Sequence, residues 1–334
     1  MFEDMVSARL GFSGAEVLSA WRAQGVPEGL LSAAEAWRRE AAAADAAAAD
    51  AAAEAENATL PAGRGVPRAS YVYEGGEVIE AAVAALLSGE HLLLVGPKAT
   101  GKNVLAENLA AVFGRPDWNV SFHIQTDAEA LLGADTLAKG AVVFRPGPVV
   151  EAAQAGGFLV LDEINMARNE ALAVLHSLLD DRRMVDVPGH GRVRLSPAAR
   201  VIATMNYGYA GTRELNEALA SRFVVLRLPP LSEAGVVQLL EKACPALSQT
   251  GRETLGKLFA AMEEKHAQGE ISSRAVDLRG LLAAVRLMQQ GLPPLRALSM
   301  GLVDKCMEED ERGIAGDVLR LFVAEEAKCD EFFA

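Results

Sequence analysis

The feature that most constrains this chain is an apolar run that leads into a glycine-containing loop and then into a helix. Residues 91–113 read HLLLVGPKATGKNVLAENLAAVF. The spacing between Gly96 and Lys102 is that of a phosphate-binding loop, in which backbone N–H groups and a helix N-terminus hold phosphate while the lysine reaches its outer oxygens. The flanking strand and helix supply the context that a chance match lacks. The sequence therefore predicts a nucleotide site formed by Gly96, Pro97, Lys98, Ala99, Thr100, Gly101, Lys102, Asn103 and Val104.

Asn103 departs from the usual pattern, which has a serine or threonine after the lysine to hold Mg²⁺. An amide oxygen is a hard neutral ligand, so Asn103 weakens or reshapes metal binding without forbidding it. Alternatively, its NH₂ group donates to the β-phosphate. We expect hydrolysis that is slow but real.

The pattern after residue 70 predicts an α/β fold. Short, nearly continuous apolar segments alternate with helical stretches, as in parallel strands covered by helices on both faces. Five such strands with intervening helices predict a parallel, doubly wound sheet. The predicted strands are residues 91–97, 119–124, 157–163, 200–206 and 223–229.

Acidic and polar residues follow two of these strands, at the edge where ligands bind in parallel sheets. Asp162 is placed to hold Mg²⁺ through water, and Glu163 to polarise an attacking water. Asn206 is placed to orient that water beside the γ-phosphate. Taken singly, each has a simpler interpretation, because such residues are common in turns and helix caps. Their shared sheet edge favours a functional role.

Arg222 lies between a helix and the last predicted strand, where it has no anion to meet within one subunit. In a ring of subunits it could reach the neighbour's γ-phosphate and supply permanent positive charge there. The alternative is an ordinary surface arginine.

Changes in composition divide the chain into four parts. Residues 1–40 predict a small helical module, either a packing appendage or a docking element. Residues 41–67 predict an Ala-rich helical spacer or linker. Residues 68–230 form the α/β nucleotide-binding core, and residues 231–334 an all-α domain. The charged run at 180–183 is interpreted as a solvated helix face.

Net charge, cysteine spacing and the length of the apolar runs limit which partners and which location the sequence predicts. The formal net charge is −13, which disfavours a nucleic-acid partner, because such binding depends on neutralising phosphates. The three cysteines are far apart and suggest neither disulfides nor a zinc site. The start of the sequence lacks the pattern of a signal peptide, and its apolar runs are too short to cross a bilayer. We expect a soluble cytoplasmic protein without membrane insertion.

Taken together, these stretches resemble the AAA+ ATPases, specifically the MoxR-type branch with the NorQ/CbbQ-like proteins of the dynein-related AAA subfamily. The resemblance covers roughly residues 70–325. It implies an AAA+ core with a five-stranded parallel sheet, followed by a helical lid, with ATP and Mg²⁺ bound between the subunits of a hexameric ring. It also implies chaperone-like remodelling of a protein client, often with a partner that carries a von Willebrand factor A (VWA) domain. The matching stretches are GPKATGKN, DAEALLG, VVFRPGPVVEAAQAGGFLVLDEINMA, VIATMNYGYAGTRELNEALASRF and AVDLRGLLAAVRLMQQG.

The resemblance implies a role for each matching residue. Gly96, Gly101 and Lys102 match the Walker A loop; Asp162 and Glu163 match Walker B; Asn206 matches sensor 1; and Arg222 matches the arginine finger. For the sensor 2 arginine of the lid, both Arg279 and Arg274 are candidates, with Arg279 preferred because it begins a predicted helix. Arg213 is a further candidate interface arginine. Residues 135–148 match a pore-facing hairpin of this branch.

Two alternatives to a remodelling ATPase remain. Asn103 favours a nucleotide-dependent scaffold that assembles with little turnover. Related rings in restriction systems suggest a nucleic-acid-directed motor, against which the charge counts. Within the loop, Lys98 and Ala99 replace a pair that in this family contains glycine.

Overall fold

The computed structural model describes residues 11–54, 65–138, 140–206 and 215–333. The chain divides into two compact units. The N-terminal unit comprises Met1–Pro97 and Gly101–Leu228, and the C-terminal unit comprises Pro229–Ala334 together with Lys98–Thr100. The four-part division expected from composition stays a prediction.

Nine strands lie in the described residues. They are β1 Leu92–Val95, β2 Asp117–Ser121, β3 Gly133–Ala138, β4 Ala141–Pro146, β5 Phe158–Asp162, β6 Met184–Val187, β7 Gly191–Arg194, β8 Arg200–Met205 and β9 Val224–Arg227.

Fourteen α-helices lie in the same described ranges. They are α1 Gly14–Ala23, α2 Glu28–Glu54, α3 Gly76–Leu87, α4 Lys102–Phe113, α5 Ala128–Leu132, α6 Pro148–Ala155, α7 Asn169–Leu172, α8 His176–Leu179, α9 Glu217–Ala220, α10 Glu233–Ala243, α11 Gln249–Ala267, α12 Leu278–Gln289, α13 Pro294–Gly301 and α14 Glu309–Phe322.

Five strands form one parallel sheet in the order β2-β5-β8-β1-β9. Val95 at the end of β1 lies opposite Met205 at the end of β8, so the two strands finish at the same edge. The expected α/β class and parallel five-stranded sheet are confirmed. The second strand lies at Asp117–Ser121 rather than at 119–124. The chain turns directly after it, where the Thr126 N–H donates to the His123 carbonyl at 2.9 Å.

Both faces of this sheet are buried along its central strands β1, β5 and β8, which explains why these strands are nearly continuous in apolar residues. On β1, Leu93 and Val95 enter the core on one face, while Leu92 and Leu94 enter the core on the other. Successive side chains of a strand point to opposite faces, so the central strands β1, β5 and β8 contribute to both cores, whereas β2 contributes only to the first and β9 only to the second.

Helices α1 and α2 belong to the second of these cores. The side chains of Leu18, Trp21 and Leu31 are buried there together with Phe113 of α4. A capping box at Ser13, as its spacing with Glu16 predicts, begins α1. Helix α2 runs without a break across residue 40. On its Ala-rich stretch, Asp45 accepts a hydrogen bond at 2.5 Å from the buried guanidinium of Arg115.

Two antiparallel hairpins accompany the main sheet. The first, β3–β4, overlaps residues 135–148, the region matched to a family hairpin, and begins two residues before it. The second, β6–β7, was not expected. The run at 180–183 leads into β6, since α8 ends at Leu179 and Arg183 has a φ of +45°. Its interpretation as a helix face was wrong.

The C-terminal unit consists of helices α10 to α14 around its own core, as expected for an all-α region. Phe259, Met262, Leu281, Val285 and Leu319 are among its buried side chains. Side chains of Ser232, Ser248 and Asp277 cap the starts of α10, α11 and α12. Among the described residues, no helix combines the length and apolarity required to cross a bilayer.

Candidate functional site

The predicted phosphate-binding loop lies between a fully buried strand and the start of α4. Gly101 has a φ of +80°, a left-handed conformation that L side chains rarely adopt. A Cβ atom at Gly101 would also lie 3.1 Å from two ring carbons of Tyr73. Both the backbone angle and the aromatic neighbour therefore require glycine here. Gly101 provides no side-chain cap, so the first turn of α4 presents backbone N–H groups toward the loop.

Ala99 has a φ of +64°, in the same left-handed region. A non-glycine residue there costs about 1–2 kcal/mol relative to the right-handed helical conformation. The loop thus adopts a left-handed backbone at Ala99, one of the two residues that stand where the resemblance implies a glycine-containing pair.

Lys102 is folded onto the loop that precedes it. Its side-chain Nζ donates to the Gly96 carbonyl at 3.0 Å and to the Pro97 carbonyl at 2.6 Å. The residue is only 7% exposed, and this burial lowers the pKa of Lys102 to about 8, while the charges of Asp162 and Glu163 act in the opposite direction. Both carboxylates therefore lie within electrostatic reach of the ammonium group.

The acidic pair at the end of β5 is held by the neighbouring strand β8. Thr204 Oγ1 donates to Asp162 Oδ1 at 2.6 Å and accepts from the Glu163 N–H at 3.1 Å. Asn206 Nδ2 donates to Glu163 Oε1 at 2.9 Å. The end of β8 thus orients both carboxylates. Asn206 directly contacts Glu163, the residue expected to polarise the water that Asn206 orients.

The loop and the polar strand ends share one edge of the sheet. The Gly96 N–H donates to the Met205 carbonyl at 3.2 Å, next to Asn206 in sequence. Glu163 has a left-handed φ of +54°, which turns the chain directly after β5. Lys102, Asp162, Glu163 and Asn206 are therefore gathered around one small region. The arrangement juxtaposes a cation, two carboxylates and an amide, as a bound triphosphate and its attacking water require.

The donor chemistry of this edge suits Mg²⁺. Asp162 ends β5 at this edge, and Asn103 is an exposed residue in the first turn of α4. Both carry oxygen atoms of the kind that Mg²⁺ prefers, and a few protein ligands suffice because the ion keeps waters and phosphate oxygens. Among the described residues, no group of three or more His, Cys, Asp and Glu side chains could hold a metal by itself. A metal at this edge would therefore depend on the phosphates of a nucleotide.

Arg222 lies between α9 and β9, as its sequence position predicts. Its Nη1 donates to the Ala218 carbonyl, while its buried Nε has no hydrogen-bond partner among the described residues. Burial lowers the pKa of His176, and the positive charge of Arg222 lowers it further. The guanidinium therefore has a donor that the described residues do not satisfy.

The two candidate sensor 2 arginines belong to the C-terminal unit, and both are exposed. The Arg279 N–H donates to Asp277 Oδ1 at 2.9 Å, which places Arg279 at the start of α12, as expected. Which of Arg279 and Arg274 meets a nucleotide stays a prediction. Arg213 lies outside the described residues.

Two polar contributors to the site were missed from sequence. Thr204 is completely buried within β8, and Asn165 Nδ2 donates to the Asn206 carbonyl at 3.1 Å. A signal for Thr204 existed, because it interrupts an apolar strand two residues before Asn206. Asn165 offered none, since asparagine is common in turns.

The β3–β4 hairpin presents apolar side chains to solvent, with Leu137 78% and Val142 71% exposed. It contacts the second hairpin at His190, whose Nε2 lies 2.8 Å from Asp135 Oδ1. The His190 ring also stacks on Phe144 with a centroid separation of 4.1 Å. The two hairpins are therefore joined by a polar contact and a ring contact.

Comparison with known proteins relates the chain to a family. Residues 91–223 match the family described as AAA domain (dynein-related subfamily). The Bacillus subtilis protein YojN is 34% identical over 257 residues, which cover 74% of this chain and 83% of YojN. A Staphylococcus haemolyticus protein is 32% identical over 257 residues, covering 75% of this chain and 97% of its own. A Staphylococcus aureus protein is 35% identical over 229 residues, which cover 67% of this chain and 87% of that protein. These relatives are described only as uncharacterized proteins.

Proposed function

Because this chain belongs to the dynein-related subfamily of AAA domains, we propose that it is an Mg²⁺-dependent ATPase whose turnover remodels a protein client. The single observation that carries the proposal is the hydrogen-bonded set at the sheet edge: Asp162 and Glu163 are oriented by Thr204 and Asn206 beside the loop that holds Lys102.

In this proposal, each residue at the edge has one task. Lys102 leaves the loop carbonyls and neutralises the outer phosphates. Glu163 accepts a proton from the attacking water, and Asn206 fixes the carboxylate that does so. Asp162 and Asn103 hold Mg²⁺, which when bound neutralises phosphate charge. Arg222 supplies charge to the site of a neighbouring subunit.

The first test is phosphate release by the purified protein with ATP and Mg²⁺, alongside Asn103→Thr. We expect measurable turnover in the natural protein and faster turnover in Asn103→Thr, because a hydroxyl restores the usual Mg²⁺ ligand after the lysine. Binding of ATP should be retained in both proteins. An unchanged rate would remove the argument about the metal, and a lack of ATP binding would overturn the proposal.

The lowered pKa of Lys102 gives the binding step a pH dependence. Since the pKa of this buried lysine is about 8, the free protein carries the charge below pH 8 and loses it above. A polyanion favours the charged form, so ATP binding above pH 8 requires proton uptake and should weaken by up to about tenfold per pH unit. The measurement is the ATP dissociation constant from pH 7 to 9.5.

Lys102→Arg is the matched control for this profile. A guanidinium stays charged throughout this range, so its affinity should be lower than that of the lysine but flat with pH. An equal slope in both proteins would show that another group controls the pH dependence.

The remodelling role draws its support from the exposed hairpin. Leu137 and Val142 give β3–β4 an apolar surface of the kind that binds other proteins. We propose a homo-oligomeric ring, with six subunits as the family resemblance implies, that acts on a protein client together with a VWA-domain partner. The mass of the protein with and without ATP and Mg²⁺ tests the ring.

A second candidate function is favoured by Asn103: a scaffold that binds ATP and assembles but hardly turns it over. Single-turnover phosphate release separates the two, because the scaffold would assemble with ATP and release no phosphate. A nucleic-acid-directed motor is disfavoured by the net charge of −13, and salt-sensitive DNA binding would reopen it.

A further inference from the structure

A short segment, residues 68–75, lies between α1 and the phosphate-loop helix α4; we call it the bridging segment. Its first end is tied to the residues before α1. Phe12 and Ala69 exchange two backbone hydrogen bonds, each of 2.8 Å. Arg68 Nε donates to the Gly11 carbonyl at 2.6 Å. The bridging segment therefore starts from a position fixed by the N-terminal residues.

Its second end is tied by the side chain of Gln24, the residue that follows α1. Gln24 Nε2 donates to the Tyr73 carbonyl at 3.2 Å, and Gln24 Oε1 accepts from the Gly75 N–H at 3.2 Å. Both halves of one amide thus grip the backbone on either side of Glu74. A primary amide can do this because it carries a donor and an acceptor on one planar group.

On its opposite side the bridging segment is bound to α4. The Tyr73 N–H donates to Asn108 Oδ1 at 2.9 Å, and Asn108 Nδ2 donates to the Tyr71 carbonyl at 2.7 Å. Asn108 is completely buried. Near the other end, the Ser70 N–H donates to Glu107 Oε2 at 3.0 Å. The bridging segment is therefore held between two helices along most of its length.

Tyr73 connects this segment to the phosphate loop. Tyr73 is 8% exposed, and its ring lies against Gly101, where a Cβ atom would be 3.1 Å away. The same ring lies 3.1 Å from the position of a Cβ atom at Gly75, the residue whose N–H is bound by Gln24. The backbone that Gln24 grips therefore carries the ring that packs on the loop.

Helix α1 is itself tightly seated on α4. A Cβ atom at Gly14 would lie 2.1 Å from the Ala111 carbonyl oxygen, so only glycine permits this approach. Gln24 thus projects from a helix with little freedom to shift. A positioned side chain on a fixed helix is what precise placement of a neighbouring loop requires.

We propose that Gln24 is a positioning residue for the phosphate loop: it fixes Tyr73 against Gly101, so that the N-terminal helices set the affinity of the loop for nucleotide. These helices lie outside residues 91–223, the part that matches the AAA domain. The inference about affinity rests on the proposed function, whereas the inference about loop order does not.

The test is Gln24→Met, which keeps the length of the side chain and removes both hydrogen bonds. We expect the KM for ATP to rise about three- to tenfold, with kcat changed less than about twofold, since binding is lost uniformly. In the nucleotide-free protein, hydrogen exchange of the peptide covering residues 96–104 should become faster. Gln24→Glu, which keeps only the acceptor, should lie between the two proteins and guards against a folding defect in Gln24→Met.

Arg22→Met is the matched control on the same helix. Arg22 binds Glu28 at 2.8 Å and Glu35 at 3.1 Å on the exposed side, away from the bridging segment. It should leave KM and loop exchange unchanged even where thermal stability falls. Equal effects of Arg22→Met and Gln24→Met, or loop exchange unchanged in both Gln24 variants, would refute the inference. If the natural protein binds no ATP, the proposed function fails, and loop exchange still decides the role of Gln24.

Discussion

Replacing Glu163 by glutamine should lower ATP turnover by about a hundredfold or more, since positioned proton transfer contributes on this scale. Glutamine cannot accept the proton of the attacking water. Its amide oxygen can still accept the hydrogen bond that Asn206 Nδ2 now gives to Glu163 Oε1 at 2.9 Å. The local geometry should therefore persist, and the affinity for ATP should stay close to that of the natural protein.

The measurement is steady-state phosphate release together with ATP binding by equilibrium titration. Glu170→Gln is a matched control, because Glu170 is an exposed glutamate on α7 and carries no role in the proposed chemistry. Its turnover should be unchanged. If Glu163→Gln kept more than about half of the natural rate, Glu163 would not be the group that activates water.

Replacing Arg222 by alanine should reduce turnover by about a thousandfold or more, the scale of an arginine that stabilises phosphoryl transfer from a neighbouring subunit. The structure holds this guanidinium on the Ala218 carbonyl and leaves its buried Nε without a partner among the described residues. An unsatisfied buried donor costs about 1–3 kcal/mol, so a guanidinium that turns outward to a phosphate oxygen of a second subunit would also be relieved of this cost. ATP affinity should change little.

Mixing two inactive proteins tests the in-trans role directly. A subunit with Arg222→Ala keeps Glu163, and a subunit with Glu163→Gln keeps Arg222, so interfaces between them should recover activity in part. Arg182→Ala is the control, since Arg182 is exposed and pairs with Asp180 at 2.6 Å. Full activity of Arg222→Ala alone, or no recovery on mixing, would count against the in-trans role.

The sheet and the polar residues at its edge were largely predictable, because each depends on a local pattern. Apolar runs marked the five strands, and parallel strands necessarily bring their carboxyl ends to one edge. The pattern alone therefore predicts that Asp162 and Asn206 lie near Lys102. The β6–β7 hairpin was not predicted because its short strands contain exposed charged residues and lack a continuous apolar run.

The contacts that support the site were less predictable, because they join distant parts of the chain. Gln24 and Tyr73 are 49 residues apart, and neither has a sequence pattern that pairs it with the other. Helices α1 and α2 had no visible partner in the sequence, so their role was left between packing and docking. Their burial against Phe113 is a tertiary property that composition does not encode.

The burial of Leu18, Trp21 and Leu31 has a practical corollary for handling the protein. A recombinant fragment trimmed to residues 91–223 would keep every side chain that we propose to act in hydrolysis at the sheet edge. It would also expose the apolar surface that these three residues cover. Contiguous exposed apolar patches of this kind promote aggregation in solution. Inactivity of such a fragment would therefore say little about its chemistry, and biochemical work should start from a form that retains the stretch from residue 11 onward.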